Sequence, residues 1–313
     1  MTSVTAIAES GAVVLRAGGT DLMALHGLGR STGPYTDLRG VPELRGITWG
    51  ADGSAAIGAM TTVAELAADQ RLAAAFPVLT AAAAVLATPQ IRAAATLGGN
   101  LLQRNRCWYF RNPLFSCHQT GGDGCPARSG AHPFAVVIDQ SPCIAPHPSS
   151  LAVALLAHEA GVRVHGRGSL PVGDLYGDDP GRDHLLEPRE VLLGIDLPAP
   201  RPGERAAHQR TGYGRAQGDW PQAEVAVRLV LEDTTIVFAA VAAGGIARTP
   251  LRLTEVEEAL VGRPATAETI EAAAARAAGR CTPLPHTIRK VAVLEGTLLE
   301  ALERSLRGES GQP

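Results

Sequence analysis

Residues 16–22 read RAGGTDL, and residues 96–101 read TLGGNL. Each sets two adjacent glycines beside a threonine, directly after a strand-like or apolar segment. Lacking Cβ, such glycines let backbone N–H groups approach an anion as closely as a pyrophosphate requires. The first element alone reads as a plain turn; two of them, each with a flanking hydroxyl, suit a dinucleotide diphosphate gripped from two sides. Between them, GLGRSTG (residues 27–33) has the spacing G-x-G-x-x-x-G, and no βαβ unit with a following acidic residue is evident, so it does not read as a Rossmann fingerprint.

The sequence around these elements alternates short strands and helices. AVVLRAGGT and GITWGADGSAAIGAM read as β segments, with Asp52-Gly53 supplying the positive φ of a tight hairpin. Thr62 and Glu65 have capping-box spacing ahead of an Ala/Leu-rich helix that runs to Phe76-Pro77, and VLTAAAAVLA is a second apolar helix. Ser149 or Ser150 caps LAVALLAHEA, which Gly161 is expected to end. VRVHG and EVLLGIDLP follow as strands. LPAPRPGERAAH (residues 197–208) concentrates proline and charge and marks a boundary. Beyond it, EVAVRLVLED and TTIVFAAVAAGG read as a hairpin, and helices fill most of 253–307. The expected organisation is a mixed domain over residues 1–200 and a smaller α+β domain over 206–313.

The stretch RCWYFRNPLFSCHQTGGDGC (residues 106–125) holds three of the five cysteines of this 313-residue chain. With Cys143, the cysteines Cys107, Cys117 and Cys125 are spaced C-x9-C-x7-C-x17-C, in a Gly/Pro-rich segment (about residues 101–148) without strand or helix period. So long a structureless stretch in a compact domain needs something else to order it. Four thiolates can hold an iron–sulfur cluster whose bonds do this. Structural zinc and unligated thiols are the alternatives, although the C-x2-4-C pairs usual for zinc are absent. Trp108, Tyr109 and Phe110 read either as an apolar wall near such a cluster or as core aromatics. Cys281 stands apart as a lone thiol.

A formal net charge of -3 with no basic run gives no reason to expect nucleic acid or an anionic membrane as a partner. No apolar span of membrane length and no signal-like start is present, so export on its own signal is not expected. The histidines form no H-x-x-x-H or H-E-x-x-H pair, and neither a G-x-S-x-G elbow nor a P-loop occurs. No side chain is singled out as a catalytic acid, base or nucleophile.

AGGTDL, TLGGNL, HPSSLAVAL and EVLLGIDLP, in this order and ahead of a C-terminal α+β domain, resemble the FAD-binding subunits of the xanthine dehydrogenase and carbon monoxide dehydrogenase family of molybdenum hydroxylases. GGNLLQRNRCWYFRNP, with three further cysteines, is similar to the cluster-bearing FAD subunits of three-subunit bacterial aldehyde oxidoreductases and of hydroxybenzoyl-CoA reductase. The resemblance implies an α+β fold of the vanillyl-alcohol oxidase (PCMH-like) type in two subdomains, followed by a domain like the C-terminal one of the carbon monoxide dehydrogenase flavoprotein. It implies FAD, held by Arg16, Ala17, Gly18, Gly19, Thr20, Asp21, Leu22, Thr96, Gly98, Gly99, Asn100 and Leu101, with Leu192 packing near the flavin. It also implies a [4Fe–4S] cluster on Cys107, Cys117, Cys125 and Cys143.

Ser150 stands where the family carries an aspartate, Arg210 is the nearest cation to the family's lysine, and the segment before the first glycine pair is shorter than usual. The implied role is electron transfer from a molybdopterin-binding large subunit through a [2Fe–2S] small subunit to FAD and an external acceptor, in the cytoplasm or exported with a signal-bearing partner. A self-standing FAD oxidase or dehydrogenase and a non-redox scaffold are the alternative functions.

Overall fold

The computed structural model describes residues 3–9, 14–214 and 218–310. Its first part contains α1 (Val4–Glu9), β1 (Val14–Arg16), α2 (Leu22–Gly27) and β2 (Tyr35–Asp37), with β1 and β2 paired in parallel. Strands β3 (Ile47–Trp49) and β4 (Ala55–Gly58) form the expected hairpin, in which Trp49 pairs with Ala55 and Gly53 takes φ +88°. Five helices follow: α3 (Val63–Ala68), α4 (Gln70–Ala75), α5 (Pro77–Ala84), α6 (Pro89–Ala94) and α7 (Leu97–Leu101).

The capping box at the start of α3 is formed: Glu65 N–H donates to Thr62 Oγ1 at 3.1 Å, and Thr62 N–H donates to Glu65 Oε2 at 2.7 Å. Each bond satisfies a donor that the first helical turn would leave orphaned. Thr62→Ala is expected to lower stability by about 1 kcal/mol in urea unfolding, with the spectrum of the folded state unchanged.

The cysteine-bearing stretch has only one helical turn, α8 (Pro126–Ser129), and a short 3-10 segment. Helix α9 (Ser150–Ala157) is capped by Ser149, which accepts from Ala152 N–H at 3.0 Å. The helix does not end at Gly161. Glu159 takes the left-handed conformation (φ +56°), and Ala160 N–H turns back to Leu155 O at 3.0 Å. This early reversal buries Ala160 and frees Gly161 to begin β5 (Gly161–Val164). With β6 (Gly168–Pro171) and β7 (Leu192–Leu197), it completes an antiparallel five-stranded sheet of order β3-β4-β7-β5-β6.

Between Leu197 and Glu204 the chain passes to a second sheet. Strands β8 (Glu204–Gly212), β9 (Pro221–Glu232), β10 (Thr235–Gly244) and β11 (Leu251–Arg252) form it in the order β11-β10-β9-β8, all antiparallel. Helices α10 (Thr254–Leu260), α11 (Ala267–Arg276) and α12 (Arg289–Arg307) complete the chain. Alternation along β9 explains the apolar run there: Val225, Val227 and Leu229 pack with the residues of α10–α12, whereas Ala226 joins the core that contains α9. Arg228, on the α9 side of this buried strand, is neutralised by Glu204 at 2.7 Å and donates to Ala157 O at 2.8 Å. Among the described residues no helix is long and apolar enough to cross a membrane.

Candidate cofactor site

The two glycine elements face each other. A Cβ on Gly18 would lie 1.8 Å from Ala94 O, and one on Gly99 would lie 3.8 Å from the Ala17 Cβ. Between and beside them opens a cavity of about 840 Å³, lined by Ala17, Gly18, Gly19, Thr20, Asp21, Leu22, Thr96, Gly98, Gly99 and Leu192.

The two elements differ in what they offer a ligand. In TLGGNL the donors are already used: Leu97 N–H reaches Thr61 O, Gly98 N–H reaches Ala59 O, and Asn100 N–H reaches Thr96 O, each at 2.8 Å, while Gly99 N–H reaches Thr96 Oγ1 at 3.1 Å. In AGGTDL the N–H groups of Gly18, Gly19, Thr20 and Asp21 have no hydrogen-bond partner among the described residues. Gly18, Gly19 and Asp21 are half-buried and Thr20 is exposed, and this run of open donors bordering a cavity fits an anion such as a diphosphate.

The Asp21 carboxylate is committed elsewhere. It accepts from Arg104 N–H at 2.9 Å and Arg111 Nη2 at 2.8 Å, and it pairs with Arg106. Burial pushes its pKa up, but Arg106 and Arg111 outweigh that and hold it below the ordinary carboxylate value. Arg16 bonds Asp37 through Nε at 3.1 Å. Asn100 Oδ1 accepts from Ser149 Oγ at 2.6 Å, Leu101 is buried in the core, and Ser150 is buried in α9. Arg210 donates to Val85 O at 2.7 Å and to Asp219 O. Arg16 and these four sequence-predicted residues do not line the cavity.

Cys107, Cys117, Cys125 and Cys143 line a single small cavity together with Asn105, Phe110 and His118. Burial pushes the Cys107 thiol up and that of Cys143 up to about 11. Thiols in this environment ionise only when a cation compensates them, as a metal does. Among the described residues no three His, Cys, Asp or Glu side chains are gathered for one metal ion. Four thiols around one space are a donor set that could hold a metal centre. Cys281 is elsewhere, with its Sγ–H donating to Ala277 O at 3.4 Å.

The root of this loop is anchored by a residue that sequence reading did not single out. Asp183 is buried and accepts from Arg104 Nε and Arg248 Nη1 at 2.6 Å each, and from Asn105 N–H and Nδ2 at 3.2 Å. Burial disfavours its charge, but Arg248 and Arg104 prevail and keep its pKa below the ordinary range. The only signal in the sequence is the cation-rich run RNRCWYFR, which calls for buried acids without saying which.

A second cavity, of about 370 Å³, lies against Cys107 and is walled by Trp108, Phe134, Tyr213, Trp220 and the buried His132 and His147. Phe134 makes edge contacts with Trp108 (ring centroids 5.1 Å apart) and Tyr213 (4.4 Å). The Arg106 guanidinium lies 4.7 Å from the Trp220 ring centroid, so one cation touches both Asp21 at the first cavity and the aromatic wall of the second.

Residues 2–200 match the model of the FAD-binding domain in molybdopterin dehydrogenases, and residues 212–298 match that of the CO dehydrogenase flavoprotein C-terminal domain. The chain is 33% identical over 272 residues to the aldehyde oxidoreductase FAD-binding subunit PaoB of Escherichia coli K12, covering 82% of each. It is 29% identical over 272 residues to the carbon monoxide dehydrogenase medium chain of Hydrogenophaga pseudoflava, covering 86% of this chain and 79% of that one. A solved carbon monoxide dehydrogenase from Hydrogenophaga pseudoflava superimposes with a TM-score of 0.75 at 26% identity, over 97% of this chain and 93% of that one. The α+β architecture expected from sequence is thus the architecture of these flavoproteins.

Proposed function

The chain belongs to the family of FAD-binding subunits of the xanthine, aldehyde and carbon monoxide dehydrogenases, and from that premise we propose that it carries both FAD and a [4Fe–4S] cluster as the electron-transfer subunit of a molybdenum hydroxylase. Its partners are a molybdopterin-binding large subunit, where electrons originate, and a [2Fe–2S] small subunit that relays them. An external acceptor takes them away.

The flavin supplies one- and two-electron exchange and the cluster one-electron exchange; the residues of this chain bind, orient and shield them. The free N–H groups of Gly18–Asp21, with Ala17, Leu22 and the glycines at 98 and 99 opposite them, would hold the pyrophosphate, and Thr96 keeps that second element helical. Leu192 borders the same space. Asn100, Leu101, Ser150, Arg16 and Arg210 act through the elements they brace. The aromatic walls of the second cavity suit the isoalloxazine ring, and its size falls within the ~300–1,000 Å³ of small-molecule sites.

One observation carries the pairing of the two cofactors: Cys107 borders both the cysteine cavity and the aromatic cavity. A cluster ligated there would stand beside the flavin ring. Protein purified anaerobically is expected to contain FAD and about four irons per chain. Cys117→Ser should lose the iron and keep FAD, whereas Cys281→Ser should keep both. Wild-type protein with FAD but no iron would overturn the cluster assignment; protein with neither would overturn the whole reading.

A further inference from the structure

The ion pairs behind the cysteine cavity do not balance. Asp21 is paired with Arg106 and Arg111, and Asp183 with Arg104 and Arg248, so two carboxylates face four guanidiniums. None of these arginines has a second acidic partner among the described residues. Arginine stays protonated in proteins, which leaves an excess of two positive charges. Water screens this excess poorly: the Arg248 and Asp183 side chains are 1% and 0% exposed, and those of Arg111 and Arg106 17% and 25%. Charge held out of water is costly unless an opposite charge compensates it.

The excess is wrapped around the cysteine cavity. Asn105 and Gln119 line that cavity and both donate to Asp183, through Nδ2 at 3.2 Å and Nε2 at 3.3 Å. Phe110, in the same wall, has the Arg104 guanidinium 4.8 Å and that of Arg111 6.0 Å from its ring centroid. Burial raises the Cys143 thiol, and Arg248 works against it, so the charge of Arg248 is felt at a cysteine. Of the four arginines only Arg104 also lines the diphosphate cavity, so flavin phosphates do not account for the excess. Four thiolates outweigh the charge of an iron–sulfur core; a cluster on them is an anion, and its potential follows net charge and burial.

We propose that this arginine excess is the counter-charge of an anionic cluster on Cys107, Cys117, Cys125 and Cys143, and that Arg248 is a positioning residue that makes the cluster easier to reduce. The inference rests on the reading that this chain holds a [4Fe–4S] cluster, and it adds which residues set its potential. Arg248 acts through space: its guanidinium is fixed by Asp183 at 2.6 Å and by Arg182 O. Reduction brings one electron to the cluster and changes no bond or proton, and guanidiniums already in place offset the added negative charge without rearranging. Arg248 lies just ahead of β11, so the second sheet's domain supplies part of this charge.

Full-length protein purified anaerobically and titrated with dithionite, which supplies the electron, tests this through the EPR signal of the reduced cluster at controlled potential. Arg248→Met is expected to make the cluster about tenfold harder to reduce, a midpoint about 59 mV lower, with FAD content unchanged. Arg248→Lys, which keeps the charge, should stay near wild type. Arg111→Gln removes a cation from the Asp21 group and should lower the midpoint in the same direction, which reads the charge even where Arg248→Met does not fold. Loss of iron from Arg248→Met but not from Arg248→Lys also supports the inference, because the anion then needs its counter-charge to bind. An unchanged midpoint in Arg248→Met or in Arg111→Gln, or loss of iron from Arg248→Met and Arg248→Lys alike, overturns it and leaves the cluster standing. Wild type without iron overturns the cluster reading itself.

Discussion

Replacing Asp183 with alanine is expected to destabilise the protein by about 3–5 kcal/mol at pH 7, the cost of leaving buried cations without their counter-charge. Arg248 is buried and has its Nη1 2.6 Å from Asp183, so once the carboxylate is gone its guanidinium is left buried without a counter-charge. Arg104 and Asn105 lose the same acceptor, so the root of the loop loosens with it. The effect has a pH signature. Arg248 and Arg104 hold the Asp183 carboxyl below its ordinary value, so the stability it contributes is complete above an unfolded pKa of about 3.9 and disappears as the pH falls below it. Denaturant unfolding of wild type and Asp183→Ala should differ by the full amount at pH 7 and converge in acid. A difference below about 1 kcal/mol at pH 7 would mean that the pair is relaxed or hydrated in solution.

Gly18→Ala should cost flavin binding with little to compensate it. The added Cβ would stand 1.8 Å from Ala94 O and 2.7 Å from its carbonyl carbon, and both are backbone atoms, so no side chain can yield. The first glycine element has to move away from the segment that leads into α7. That movement carries off the unpartnered N–H groups meant for the pyrophosphate. Overpacking of about 1–3 kcal/mol corresponds to FAD binding roughly 10- to 100-fold weaker, measurable by equilibrium dialysis. Gly40→Ala is the control, because nothing lies within 4 Å of its Cβ position. Equal loss in both variants would show that the effect is not specific to the glycine junction.

Much of the local structure is legible in the residues themselves. Asp52-Gly53 makes its turn, Thr62 and Glu65 make their capping box, and Ser149 caps α9, because each depends on groups within a few residues of one another. Gly161 shows the limit: the chain reversed at Glu159, where burial of Ala160 outweighed the usual preference for glycine. The family, and with it the α+β fold, was readable from the order of short motifs. The anchoring of the loop was not, since Asp183 lies in an unremarkable GRDH sequence and becomes special only beside Arg104 and Arg248.

The site divides the same way. The sequence by itself determined which residues are chemically able to hold a diphosphate or a cluster, because glycines without Cβ and cysteines with thiolates have those capacities wherever they fall. Tertiary structure decided which of them are available. It spent the donors of TLGGNL on Thr61, Ala59 and Thr96, left those of AGGTDL open, and turned Arg210 to backbone carbonyls. It also brought His132 and His147 to one aromatic wall beside Cys107. The reason is physical: a hydrogen-bonding group can serve a ligand only if no nearer partner has claimed it, and partners distant in sequence become neighbours only in the folded chain.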